Sequence, residues 1–137
     1  MKIPKGQIGK PSRKQLKDEC WELCKKIIRL RDKKCRRCGK VGWETKSGEL
    51  IGGLETAHII GKGNTPKMYY DLDNLLLLCH RCHISWGHHN PCEFTEWIKG
   101  HIGENKYKEL RLRADMPSPK MDLNLIKLGL EQELKKS

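Results

Sequence analysis

Two pairs of cysteines carry the plainest chemistry in the chain. Cys35 and Cys38 stand in CRRCGK, and Cys79 and Cys82 stand in LCHRCH, each pair separated by two residues. That spacing lets both sulfurs of a pair reach one ion from a tight knuckle turn, and Gly39 after the first pair permits the backbone reversal. Together the pairs offer four thiolates in a tetrahedral set suited to zinc. A redox pair would account for one such spacing but not for two. Four thiolates leave no open position for water, so this zinc would be structural.

Three polar residues near these pairs are not explained by a staple: His58 in ETAHII, Asn74 in DLDN, and His83 directly after Cys82. Each has an ordinary account on its own, as a buried histidine with a satisfied hydrogen bond, a turn asparagine and a histidine on a helix surface. Cys20 and Cys24, one helical turn apart, could touch a metal together. They read better as buried thiols packing as small hydrophobes.

The elements that must hold these residues follow from periodicity and punctuation. The chain has 137 residues, enough for one domain with a modest core. Ser12 is placed to cap a helix running to about Arg31, with Leu16, Cys20, Leu23, Cys24, Ile27 and Leu30 on its apolar face. VGWETKSGELIGG is glycine-rich and suits a loop or hairpin, LETAHII a strand from Leu54 to Ile60, and GKGNTPKMYY an irregular loop. LLLL at Leu75 to Leu78 suits a second, buried strand, with a helix beginning near Cys79 or Cys82. Asn90 and Pro91 look like the cap and first position of another helix through Trp97. Gly100 and Gly103 then interrupt, and Lys106 to Ala114 resumes a helical pattern. The tail from Met121 to Lys136 could form an amphipathic helix. Trp43, Trp86 and Trp97 are expected to pack against the small core.

Charge is unevenly spread. Of a formal net charge of +11, the stretch from Met1 to Lys46 holds 16 basic and 5 acidic residues, whereas Ser47 to Ser137 holds 12 of each. A basic surface confined to one third of the chain points to a polyanion, and DNA is the expected partner. Lys14, Lys17, Lys25, Arg29, Arg36 and Arg37 are the candidate contacts. No stretch is apolar and long enough to span a bilayer, and MKIPKGQIGK lacks the apolar core of a signal peptide, so no membrane partner is expected. Seven cysteines without an export signal argue against a disulfide scaffold and for a cytoplasmic setting.

The order of the pieces resembles the zinc-stapled HNH endonucleases: a cysteine pair (CRRCG), a strand ending in AHI, an asparagine before an apolar strand (DLDN), then a cysteine pair with a histidine (CHRCH). The resemblance spans Cys35 to His83. IIRLRDKKCRRCG before it, and EFTEWI and YKELRLR after it, are also similar to phage-type members. Among these is the Rap/NinG group, implicated in processing branched recombination intermediates.

The resemblance implies an α+β fold, a ββα-metal (treble-clef) core stapled by zinc and flanked by helices. Residues 1–11 hold glycine, proline and lysine without periodicity and are expected to form a mobile basic arm, residues 12–116 one HNH nuclease domain that includes the basic helix, and residues 117–137 an amphipathic helical tail. Neutral His58 would be the general base, its unperturbed pKa of about 6.5 suiting it to take a proton from water. Asn74 would orient the loop and the imidazole. His83 would ligate a second, catalytic divalent ion, magnesium or manganese, with zinc as an alternative. Products would carry a 5′ phosphate and a 3′ hydroxyl, and a phage-encoded role in a bacterial host is implied.

One position departs from the pattern. Many relatives carry aspartate or histidine before the catalytic histidine as a metal ligand, and here that residue is Ala57. Glu55, on the same side of an ideal strand, and His88 are candidates to make up the ligand set. The position four residues after His83 is Gly87. The competing reading is a zinc-stapled DNA-binding module without catalysis, in which His58 and His83 are structural. The amphipathic tail could pack on its own domain or on a second subunit, which leaves a homodimer open.

Overall fold

The computed structural model describes residues 11–47, 50–61, 66–117 and 120–136. All but the last residue of the expected basic arm lies outside them.

Helix α1 runs Arg13–Asp32. The Ser12 side chain accepts a hydrogen bond from the Gln15 N–H at 3.1 Å, which satisfies one of the donors a helix start leaves open. Its buried face is Leu16, Cys20, Cys24, Ile27, Ile28 and Asp32. Leu30, expected on that face, is 44% exposed, and Ile28 takes its place in the core. The Cys20 and Cys24 thiols point at the carbonyls of Leu123 and Tyr70, and burial pushes the Cys24 thiol up to about 12. Both pack as small hydrophobes.

The glycine-rich stretch forms a short antiparallel hairpin of β1 (Trp43–Glu44) and β2 (Leu50–Ile51). Trp43 is 62% exposed there, contrary to its expected place in the core. Strands β3 (Leu54–His58) and β4 (Leu75–Cys79) pair antiparallel, from Leu54 opposite Cys79 to His58 opposite Leu75. The strand expected through Ile60 stops at His58, because Ile59 and Ile60 give their N–H groups to the Asn74 carbonyl and Asn74 Oδ1. Every residue of β4 is buried. Leu75 and Leu77 face α1, whereas Leu76 and Leu78 face Cys35, Ala57 and Ile98. A strand covered on both faces reads as a continuous apolar run rather than an alternation.

The knuckle helix, Arg81–His88, follows β4 directly and is wound as a π-helix. A side chain at position 87 would meet the Cys82 carbonyl at 2.9 Å and the Phe94 ring at 3.1 Å, so glycine lets Phe94 close on this helix. Helix α2 is Pro91–Ile102. Asn90 does not cap it with its side chain, since its Nδ2 donates to the Trp86 carbonyl at 2.8 Å instead. Gly100 lies within the helix without interrupting it, and the break falls at Gly103 with φ +94°. Helix α3, Glu104–Asp115, begins two residues before its expected start.

Helix α4, Leu123–Lys136, packs on α1 of its own chain. It buries Leu123 and Leu130, and Lys127 Nζ donates to Glu19 at 3.1 Å. The fold is α+β: one small two-stranded sheet (β3–β4) sandwiched by helices, with four cysteines gathered at one end. Among the described residues no helix is long and apolar enough to cross a membrane.

Candidate metal centre and active site

The four cysteines converge. The sulfurs of Cys35, Cys38, Cys79 and Cys82 all lie within 4.8 Å of one another, with Cys38 and Cys79 at 3.6 Å. Each pair forms a knuckle in which the first sulfur accepts the N–H of the second cysteine: Cys38 to Cys35 at 3.5 Å, Cys82 to Cys79 at 3.4 Å. Burial pushes the Cys35 thiol up, but N–H bonds from Cys38, Cys79 and Arg37 outweigh it and bring it down to about 6. Burial pushes the Cys82 thiol up to about 12 despite its Arg37 contact, so it is the convergence of the four sulfurs, not a shared acidity, that suits an ion. The donor set therefore fits a structural zinc. Arg37 is drawn into this end of the molecule, with Nη1 at 3.6 Å from Cys82 Sγ and its guanidinium 3.5 Å from the centre of the Trp86 ring.

His58 ends β3 in an aromatic housing. Trp21 of α1 stacks on it, and Tyr69 tilts against it with centroids 4.6 Å apart. His58 Nε2 lies 3.1 Å from the Tyr69 carbonyl. A carbonyl only accepts, so that nitrogen carries the hydrogen, and Nδ1 is the basic atom of the neutral ring.

Asn74 is fully buried and satisfied on three sides. Its Oδ1 accepts from Ile60 N–H at 2.8 Å, and its Nδ2 donates to the carbonyls of Ile60 and Met68, both at 3.1 Å. It thus ties the end of β3 to the turn that carries Tyr69. The contacts of its side chain are with the loop backbone, and the imidazole is reached through Tyr69.

His83 belongs to a second group. Its Nδ1 lies 2.8 Å from Glu55 Oε1, and the other carboxylate oxygen lies 3.0 Å from His80 Nδ1. His88 packs edge-on against the His83 ring with centroids 4.7 Å apart. Burial raises the Glu55 carboxyl, but the two histidine hydrogen bonds outweigh it and hold the group below its ordinary value. Ala57 is fully buried among Leu76, Leu78 and Cys35 and contributes no polar atom. Strand β3 links the two groups. Glu55 and His58 both stand on this strand.

A groove of about 600 Å³ runs between α1 and β3, lined by Glu22, Lys25, Lys26 and Arg29 on one side and Leu54, Glu55 and Thr56 on the other. The four α1 residues fall at spacings of three and four and share one helix face. Of the expected cationic contacts, Lys25 and Arg29 line this groove. Lys17 borders a neighbouring hollow with Trp21 and Tyr69, Lys14 is exposed near the start of α1, and Arg36 lines a separate hollow with Arg31 and His101.

Residues 35–90 match the family model described as HNH endonuclease. The similarity to HNH endonucleases lies in that segment, which is under half of the chain. No curated protein and no solved structure matches the chain. The HNH segment contains all four cysteines with His58, Asn74 and His83, whereas α1, α2, α3 and α4 lie outside it. Trp21, Lys26, Tyr69 and His80 were not foreseen from the sequence as parts of this site. For His80 a signal exists, since it stands three residues before His83 across a helix start. For Trp21 and Tyr69 there is none, because their place depends on how α1 and the loop meet β3.

Proposed function

We propose that the chain is a metal-dependent DNA endonuclease, with His58 as general base, Asn74 as orienting residue and His83 as ligand of a catalytic divalent ion. The observation that carries this reading is the housing of His58 within the HNH segment: an imidazole held between Trp21 and Tyr69 with its Nε2 on a carbonyl. Such a ring keeps one tautomer and one orientation, as a base needs when it takes a proton from water at Nδ1. Asn74 holds the turn that supplies the carbonyl. His83, with Nδ1 on a carboxylate, presents Nε2 to an ion, the arrangement usual for metal-bound histidine. Magnesium or manganese there would stabilise the charge developing on the leaving 3′ oxygen.

The substrate strand lies along the free edge of β3, in the groove whose wall carries Lys25, Lys26 and Arg29. These cations hold phosphates without reading bases. A branched DNA, as the phage-type similarity implies, is the finer expectation.

The test is cleavage of supercoiled plasmid and of a labelled branched junction by wild type and His58→Ala, each with magnesium, manganese or EDTA. Metal-dependent cutting by wild type, lost in a folded and zinc-loaded His58→Ala, is the expected result. A zinc-loaded wild type that binds every DNA and cuts none would replace this reading with the binding module.

A further inference from the structure

Glu55 sits between two imidazoles. Its Oε1 meets His83 Nδ1 at 2.8 Å and its Oε2 meets His80 Nδ1 at 3.0 Å. An ionised carboxylate only accepts, so Nδ1 of each ring carries a hydrogen and Nε2 of each ring carries the lone pair. His80 and His83 are three residues apart at the start of the knuckle helix, a spacing that makes them neighbours on one helix face. The pair reaches outward: the His83 side chain is 19% exposed and that of His80 is 61%.

The residue before His58 is alanine and the residue four after His83 is glycine, so neither offers a donor atom. The donor side chains beside His83 are His80, Glu55 and His88, and of these His80 alone shares the Glu55 carboxylate with His83. Glu55 spends both oxygens on the two Nδ1 atoms, which suits a carboxylate that orients ligands rather than one that ligates.

We propose that His80 is the second protein ligand of the divalent ion held by His83, with Glu55 as the positioning residue that sets the tautomer of both rings. This rests on the assignment of His83 under the nuclease reading and extends its ligand set. Two imidazole nitrogens make the site borderline-soft, so it favours manganese, cobalt, nickel or zinc over magnesium. One glutamate serves both rings because its two oxygens diverge. The device compensates for the ligand missing at position 57.

The experiment titrates zinc-loaded protein with Co²⁺ or Mn²⁺ and reads stoichiometry and affinity by calorimetry, with cobalt absorption or manganese resonance as a second readout. Wild type, His80→Ala, His80→Gln, Glu55→Gln and His83→Ala are compared, each checked for one retained zinc and unchanged circular dichroism. Wild type should bind one ion beyond the zinc, and His83→Ala should bind none. His80→Ala and His80→Gln should bind about tenfold more weakly or worse, and Glu55→Gln roughly 10–100-fold more weakly. Long-range ¹⁵N spectra of metal-free wild type should report Nδ1–H on both rings, and Glu55→Gln should lose that preference.

Wild-type affinity in both His80 variants, with binding lost in His83→Ala, would overturn the proposal while leaving the nuclease reading intact. Wild-type affinity in His83→Ala would remove the ion from this helix and take both down together.

Discussion

Trp21 lies flat on His58, with ring centroids 5.2 Å apart and planes 9° from parallel. The indole comes from α1, outside the HNH segment, so a flanking helix supplies one wall of the proposed base. An aromatic pair is worth roughly 0.5–1.5 kcal/mol, which sets the scale for losing it. Trp21→Leu should lower single-turnover cleavage by up to about tenfold, with a smaller change in DNA affinity. Trp21→Phe should retain most of the rate. Equal rates for wild type and Trp21→Leu would make the stack a packing contact only.

Arg113 fixes the turn that carries Asn74 from the far side. Its Nη1 donates to Asp71 at 2.6 Å and its Nη2 to Asp73 at 3.1 Å. The pairs are partly exposed, so Arg113→Leu should cost under about 1 kcal/mol of global stability. The larger effect is local. Amide exchange at residues 72–74 and at Ile60, whose N–H bonds Asn74, should accelerate while α1 stays protected.

Asp32 is the joint between α1 and the sheet. It is buried, accepts the Leu77 N–H at 2.9 Å, and holds Arg31, whose guanidinium also reaches the carbonyls of Leu72 and Leu75. Asp32→Ala strands a buried backbone donor and should cost about 1–3 kcal/mol in urea unfolding. Asp32→Asn keeps an acceptor for Leu77 but weakens the hold on Arg31, so its loss should be intermediate. The pair also sets how closely α1 lies against β3, which is why both variants should reduce cleavage as well.

What was legible in the sequence was what is local. The cysteine spacing needs only a few residues to form each knuckle, and the order of His58, Asn74 and His83 follows a strand–turn–strand–helix path written in the same stretch. The buried run of β4 was legible because nothing polar interrupts it. Contacts between distant elements were not. The Glu55–His80 pair exists because the register sets Glu55 opposite Leu78, beside the start of the knuckle helix. Trp21 meets His58 only once α1 is latched by Asp32. Local rules also lost to competition: Asn90 gave its side chain to the Trp86 carbonyl instead of capping α2, and Gly100 was carried through a helix held by its neighbours.

Removing the zinc should undo the end of the molecule that holds both knuckles. Metal ligation of this kind is folding free energy, with apparent values of about 10–16 kcal/mol for small zinc sites. A strong chelator should release one zinc and melt the knuckle helix. Cys35→Ser and Cys82→Ser should each reduce zinc content from one to none. Trp86 fluorescence reports the change directly, because Arg37 bridges its ring to Cys82. Full zinc content in either serine variant would refute the four-thiolate assignment.

The basic groove predicts a particular salt dependence. Lys25, Lys26 and Arg29 share one face of α1 opposite β3. Lys25 pairs with Glu22 at 2.7 Å, but so exposed a pair is weak and yields readily to a phosphate. Each phosphate contact contributes about 0.9 to the slope of log affinity against log salt, so changing all three to alanine should flatten it by roughly 2–3. Affinity should fall on every DNA alike, because phosphate contacts carry no sequence information. Lys135→Ala with Lys136→Ala, at the far end of α4, is the matched control and should leave the slope unchanged. If the control flattens the slope and the groove variant does not, the strand runs past α4 instead, and the groove beside Trp21 and Glu55 is not the path by which DNA reaches the base.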